Sequence, residues 1–144
     1  IIETALKKYN KQIIERNQVY RLIKALKKGE NVGYTPDIDG GYYHSIFVPF
    51  FNIPASTLTA PTKLAKLTNA TVLLSTYYRR DDGTGYDLTF SPVPTDFPSD
   101  HIEKDITYIN QWLEEVIQKK PEQYLWQYKR FKTRPKAGHV ARIY

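Results

Sequence analysis

Two carboxylates stand close together within residues 36–41, and their type and spacing suit them to support chemistry. Asp37 and Asp39 follow a short segment that predicts a strand, and α/β proteins place their sites at strand ends. A carboxylate at that place can orient other active-site groups or a substrate. One alternative is a turn in which each Asp accepts hydrogen bonds from nearby backbone amides. Another is a metal site, but no third ligand accompanies the pair.

Cations form two further groups that could bind an anion. Arg79 and Arg80 end the strongest predicted strand, where one could bind a phosphate through paired hydrogen bonds or form an ion pair with a neighbouring Asp. Arg130, Lys132 and Arg134 occupy alternate positions, so an extended chain would present all three on one side. Such a row of charges suits phosphates or an anionic membrane surface.

The net charge of +6 is concentrated in a basic tail at residues 119–144. This tail holds eight Lys or Arg and one Glu, whereas the rest of the chain is nearly neutral. A basic tail on a neutral body indicates an anionic partner, and phosphate-bearing lipid, an acidic carrier protein and nucleic acid all qualify. The alternative is a solvated basic end without a partner.

Composition excludes several classes of protein. The 144 residues include no Cys, which excludes disulfide scaffolds, zinc knuckles and cysteine nucleophiles. No segment reaches the ~20 apolar residues needed to cross a bilayer, since Pro49 interrupts the longest apolar run, residues 46–51. The chain has no Met and begins within a helical pattern, so we expect residues 1–144 to be a single-domain fragment of a longer protein.

The elements that must position these residues begin with a predicted helix. Residues 1–28 show helical spacing of apolar residues, with Gly29 at the end and Asn17 as a candidate break. Residues 32–35 predict a strand. Residues 46–51 predict an edge strand or a buried loop, because their proline cannot donate to a ladder.

The patterns become clearer beyond residue 58. Residues 59–69 predict a helix capped by Thr59. Residues 71–78 predict a strand, and the turn signal at residues 81–85 leads into a partner strand at residues 86–90.

A long helix follows, with Asp100 and Glu103 as a predicted capping box. Its apolar stripe consists of Ile102, Ile106, Ile109, Leu113 and Val116 or Ile117. The order of elements predicts an α/β fold in which helices flank a partial mixed sheet with at least one antiparallel pair.

Several motifs, in order along residues 20–136, carry a resemblance to a known family. Residues 121–135 read PEQYLWQYKRFKTRP, which resembles the C-terminal signature of the bacterial lipid A biosynthesis acyltransferases. Further matching segments lie at residues 26–30, 36–39, 47–51, 55–57, 64–65 and 79–86. The sequence departs from the family pattern at Tyr128, Asn52 and Asn69, where the family usually has His, Gly and a Gly-Ala pair.

The resemblance implies an α/β acyltransferase fold related to the glycerolipid acyltransferases, of which this chain would be the C-terminal half. It implies transfer of a fatty acyl chain from acyl carrier protein to a hydroxyl of a lipid A precursor, without a cofactor. The implied location is the cytoplasmic face of the inner membrane of a Gram-negative bacterium. The implied partners are acyl carrier protein, the lipid A precursor and the anionic inner-membrane surface, but not nucleic acid.

The family relies on a histidine general base, followed after four residues by an Asp or Glu that orients the ring. His44, His101 and His139 all lack an acid at that offset, although Asp105 falls one residue short of it. We therefore expect the general base to lie outside this chain and the chain alone to be inactive. His101 and Asp105 could still form a dyad one helical turn apart, with an exposed polar helix start as the alternative.

In related acyltransferases a comparable strand end carries an acidic motif beside the acceptor, and the positions of the cations suggest phosphate contacts. Asp37 is interpreted as a supporting catalytic carboxylate. The predicted substrate-binding residues are Asp39, Arg79, Arg130, Lys132 and Arg134. Two other functions remain open: a non-catalytic domain that binds a membrane surface or a carrier protein, and a basic module that binds nucleic acid. The second explains the basic tail but not the ordered motifs.

Overall fold

Three helices and four strands account for the regular structure in the part of the chain that the computed structural model describes, which is residue 8, residues 10–15 and residues 17–135. In chain order they are α1 (Val19–Lys27), β1 (Ser45–Phe50), β2 (Ile53–Leu58), α2 (Ala60–Thr68), β3 (Leu73–Arg79), β4 (Tyr86–Pro92) and α3 (Ile102–Lys119), followed by a 3-10 turn (Pro121–Gln123). The chain divides into two compact units, Ile1–Gly33 and Tyr34–Tyr144.

The first unit contains α1. The helix ends at Lys27, and Gly29 follows with φ 75°, a conformation that glycine adopts at little cost, so the predicted end is confirmed. The helix predicted for residues 1–28 is confirmed for Val19–Lys27 and wrong for residues 10–15, which are not helical. The N–H of Gln18 donates to the carbonyl of Glu15 at 2.9 Å just before α1 begins. Most of the remaining predicted helix lies outside the described residues.

The strand predicted at residues 32–35 is wrong. The segment has no strand beside it among the described residues, and a strand persists only where a neighbour accepts and donates its backbone hydrogen bonds.

The second unit contains two separate antiparallel hairpins. In the first, β1 pairs with β2 in a register that places Val48 opposite Ala55; in the second, β3 pairs with β4 and Thr76 lies opposite Thr89. The α/β class is confirmed, but the predicted mixed sheet is wrong for the described residues, since both pairs are antiparallel and do not join. The strands and the turn predicted within residues 71–90 are confirmed.

Strand β1 is the predicted edge strand, and its partner β2 was not predicted. The sequence Ile-Pro-Ala-Ser-Thr-Leu of β2 lacks the apolar alternation of a half-buried strand. The structure gives the reason, because the last four residues of β2 are all buried and small side chains fit on both faces.

Helix α3 supplies the main packing surface, and its predicted apolar stripe is confirmed. Ile106 and Ile109 pack in one cluster with Val48 of β1 and Leu74 of β3. Ile117 packs in a second cluster, which includes Phe50 and Ala55 of the first hairpin. One face of the β1–β2 hairpin therefore rests on α3.

Both helices are confirmed, and Thr59 is the N-cap residue of α2 as predicted, although its side chain makes no cap bond; the capping box predicted for α3 is wrong, because His101 takes the cap position. The Thr59 hydroxyl donates to the carbonyl of His44 at 3.0 Å and not back to its own helix. Asp100 lies just before the cap position and accepts from Lys66 at 2.6 Å.

None of the helices in the described part of the chain is both long enough and apolar enough to cross a bilayer.

Candidate functional site

The acidic loop, residues 36–41, lies against the β1–β2 hairpin. Gly40 donates its backbone N–H to the carbonyl of Ser56 at 3.1 Å. The hydroxyls of Ser45 and Ser56 both donate to the carbonyl of Gly41. A Cβ added at Gly40 would stand 2.7 Å from the Cβ of Ser45, so only glycine allows this close approach.

Asp39 joins the acidic loop to the arginine segment, residues 128–134. One carboxylate oxygen accepts from the Gly41 N–H at 2.9 Å and from the Thr133 hydroxyl at 2.7 Å, and the other accepts from the Thr133 N–H at 2.8 Å. The N–H of Asp39 donates to the hydroxyl of Tyr128 at 2.9 Å. Asp39 therefore holds two segments together through bonds within the chain.

Arg130 is buried, with 2% of its surface exposed, under the same hairpin. Its two terminal nitrogens donate to the carbonyl of Ser56 and the hydroxyl of Thr57, each at 2.7 Å, and its guanidinium lies 5.3 Å from the ring centre of Phe50. Burial lowers the pKa of Arg130, while surrounding negative groups, including Asp39, oppose the shift. The carbonyl of Ser56 thus accepts hydrogen bonds from both the acidic loop and Arg130.

Arg134 also turns its guanidinium away from solvent. All three nitrogens are buried, and none donates to an acceptor within the described residues. Its carbonyl accepts a hydrogen bond from the Tyr42 hydroxyl at 2.9 Å, just beyond the acidic loop. The structure thus brings Arg134, Arg130 and Asp39 together around one loop.

Asp37 is the acid of this loop that bonds no partner among the described residues. Its side chain is half-buried, and no donor among the described residues reaches its carboxylate. Its charge still acts on Arg130. The predicted pair of carboxylates therefore divides into one that is bonded within the chain and one that remains open.

Lys132 and Arg79 are exposed and lie apart from these contacts. Backbone turns at residues 128–132 bury Arg130 and expose Lys132, so the expected row of cations on one side of an extended segment is wrong. Arg79 belongs to β3, where its backbone exchanges hydrogen bonds with the side chain of Gln123 at 2.8 and 3.0 Å. None of its described contacts joins it to the acidic loop.

The histidines provide no catalytic pair within the described residues. His44 and His101 are exposed, and His139 lies outside the described part of the chain. The carboxylate of Asp105 accepts from the N–H and hydroxyl of Ser99, at 3.0 and 2.7 Å, and so does not orient His101. The described residues also contain no group of three acids or histidines that could hold a metal ion.

Several residues of the site were not singled out by sequence reasoning. Thr133, Ser56 and Tyr42 act through contacts between segments distant in the chain, and nothing local marks them. Tyr128 is different, because it stands where the resemblance leads one to expect His, and its hydroxyl still binds the acidic loop.

Comparisons with known proteins agree with the motifs around this loop. The profile of the family described as "Bacterial lipid A biosynthesis acyltransferase" matches residues 3–133. The lipid A biosynthesis lauroyltransferase of Escherichia coli (strain K12) is 41% identical over 127 residues, which cover 88% of this chain and 42% of that protein. The palmitoleoyltransferase of the same pathway and organism is 40% identical over 127 residues, with 88% and 41% covered. A lipid A biosynthesis acyltransferase of Haemophilus influenzae is 38% identical over 129 residues, with 88% and 41% covered. The chain thus spans about two-fifths of the length of these relatives.

Proposed function

Because this chain belongs to the bacterial lipid A biosynthesis acyltransferase family, we propose that the protein containing it transfers a fatty acyl chain from acyl carrier protein to a hydroxyl of a lipid A precursor. In that reaction the hydroxyl oxygen attacks the thioester carbonyl, an ester forms and the carbon–sulfur bond breaks. The proton leaves the hydroxyl to a general base and then passes to the departing thiolate. A thioester is already activated, so this transfer needs no cofactor.

This chain contributes the acceptor side of the site in our proposal. The general base, a histidine followed after four residues by Asp or Glu, belongs to a part of the protein outside these 144 residues. The chain would be the C-terminal part of the acyltransferase domain and inactive by itself. The absence of an acid at the required offset from any of the three histidines supports this division.

Asp37 is the supporting carboxylate in this proposal, and one observation carries it. The acidic loop is fixed on both sides, through Gly40 to Ser56 and through Asp39 to Thr133, yet no described donor satisfies Asp37. A carboxylate on a rigid loop with open acceptor positions can orient a histidine ring or a sugar hydroxyl. Asp39 acts in the same site by keeping the loop in place.

Arg79 and Lys132 were predicted to bind substrate, and their exposure also suits a membrane surface. The exposed cations Arg79 and Lys132 fit an anionic surface, where each charge contributes ~1 kcal/mol. We place the protein at the cytoplasmic face of the inner membrane, where acyl carrier protein and the lipid A precursor meet.

Replacement of Asp37 tests the proposal in the complete protein. Asp37→Asn keeps the shape of the side chain and removes its charge, so we expect kcat with acyl carrier protein and lipid A precursor to fall about a hundredfold. The matched control is Asp96→Asn. Asp96 is exposed, precedes α3 and pairs with Lys104. We expect the control to retain normal turnover and both variants to melt near the wild type. Normal turnover of Asp37→Asn would remove Asp37 from the site.

A further inference from the structure

Arg134 has a buried guanidinium without a partner among the described residues. The three nitrogens of its guanidinium are shielded from solvent and donate no hydrogen bond to those residues. A charge removed from water is stabilised only when an opposite charge or strong acceptors meet it. The arrangement therefore indicates an anion that the described residues do not supply.

Arg130 shows how a guanidinium of the same segment looks when the chain supplies acceptors for its two terminal nitrogens, while its Nε is buried without a partner among the described residues. Both of its terminal nitrogens donate to the β1–β2 hairpin, at 2.7 Å to Ser56 and 2.7 Å to Thr57. The planar end of Arg130 is thus committed to holding the arginine segment. The corresponding donors of Arg134 have no such task within the described part of the chain.

Contacts on both sides fix the backbone of Arg134 beside the acidic loop. Thr133 donates its N–H and its hydroxyl to Asp39, and Tyr42 donates to the carbonyl of Arg134. Asp39 does not serve as the missing anion, because its oxygens accept from Gly41 and Thr133 and no nitrogen of Arg134 donates to them. The anion must come from outside this set of residues.

We propose that Arg134 binds a phosphate group of the lipid A precursor. The inference rests on the proposed function and assigns the acceptor's phosphate to one residue. The planar guanidinium presents paired N–H donors that match two phosphate oxygens. Since Thr133 and Asp39 link Arg134 to the loop that carries Asp37, a phosphate bound there brings the acceptor to that carboxylate. A carboxylate from another part of the protein is the competing source of the anion.

Binding measurements on the complete protein separate these sources. Zwitterionic vesicles carry the lipid A precursor, the same precursor after phosphatase treatment, or phosphatidylglycerol of equal charge. The variants are Arg134→Gln and, as a matched control, Lys129→Gln, which removes an exposed charge from the same segment. We expect Arg134→Gln to weaken binding to the phosphorylated precursor about tenfold, the size of a lost charge-assisted hydrogen bond. On vesicles with the dephosphorylated precursor or with phosphatidylglycerol, we expect the two variants to bind with nearly equal affinity.

Each other result overturns the proposal. Equal losses for Arg134→Gln and Lys129→Gln on every surface mean that Arg134 contributes only charge to an anionic membrane. Unchanged affinity combined with a large drop in melting temperature identifies a carboxylate of the protein as the partner. If Arg134→Gln does not fold, Arg134→Lys replaces it, and a selective loss on the phosphorylated precursor is again required. Vesicle binding is measured without turnover. Absence of acyl transfer would therefore refute the proposed function, while the affinity of Arg134→Gln would still decide whether Arg134 binds the phosphate.

Discussion

The two hairpins of the second unit share an antiparallel topology and nearly the same length, yet their surroundings differ. The β1–β2 hairpin has α3 packed on one face, and the carbonyl of Ser56 in β2 accepts from both the acidic loop and Arg130. The β3–β4 hairpin rests on α3 through Leu74 and Tyr78, whose hydroxyl donates to the carbonyl of Val116 at 2.5 Å. Its outer face remains exposed in the described part of the chain. The outer apolar side chains are Leu73, Tyr77, Tyr86, Leu88 and Phe90, each more than half exposed.

Polar groups show the same contrast. The buried Thr57 hydroxyl accepts from Arg130 and Asn110 and donates to the carbonyl of Ala55, so all its bonding positions are used. On the other hairpin, apart from the bond of Tyr78 to Val116, the polar contacts include exposed pairs such as Arg80 with Asp87, at 2.7 Å. Exposed pairs contribute little to stability, whereas buried bonds define one arrangement. The β1–β2 hairpin is therefore the rigid base of the candidate site.

The largest expected effect comes from Phe50→Ala on the covered hairpin. Phe50 is 1% exposed, packs with Ala55 and Ile117, and lies under the guanidinium of Arg130. Its removal leaves a cavity, and we expect a loss of about 3–5 kcal/mol in the free energy of unfolding by urea. The same change at Phe90, which is 59% exposed, should cost less than about 1 kcal/mol. Similar losses at both positions would contradict the contrast between the hairpins.

A smaller loss is expected from Arg130→Ala. The variant removes two charge-assisted hydrogen bonds to β2 and the packing of a buried stem, so the free energy of unfolding should fall by about 2–3 kcal/mol. Arg79→Ala, on the exposed hairpin, is the matched control and should stay within about 0.5 kcal/mol of wild type. Paired urea titrations measure both. Equal losses in the free energy of unfolding for Arg79→Ala and Arg130→Ala would show that burial does not determine the size of the effect.

The smallest effect concerns the turn of the exposed hairpin and depends on pH. Hydrogen bonds from the N–H and hydroxyl of Thr84 lower the pKa of Asp82 below its ordinary value of 3.8. A carboxyl with a lowered folded pKa stabilises the fold above pH 3.8, and the contribution disappears as pH falls through the folded pKa. Asp82→Asn should thus lower the urea midpoint slightly at neutral pH and leave it unchanged in strong acid. A difference that persists in acid would assign the effect to the shape of the turn.

Local patterns were sufficient for the elements whose signals lie within a few residues. The stripe of α3 repeats at helical spacing, and the Asp-Asp-Gly-Thr-Gly turn can reverse the chain because Gly83 and Gly85 adopt positive φ. Two cases show the limit of such patterns: strand β2, which no pattern predicted, and the strand wrongly predicted at residues 32–35. Whether an extended segment becomes a strand depends on a partner elsewhere in the chain, and local sequence does not contain that information.

The candidate site divides in the same way. The sequence by itself determined which residues were candidates, because Asp37, Asp39, Arg130 and Arg134 stand in ordered motifs. Only the tertiary structure decided their separate roles. Asp39 bonds Thr133, Arg130 bonds Ser56, and Asp37 and Arg134 are left without described partners. The physical reason is that the partners of a charge can come from segments up to 94 residues away. Those partners decide whether the charge is bonded within the fold or open to a ligand.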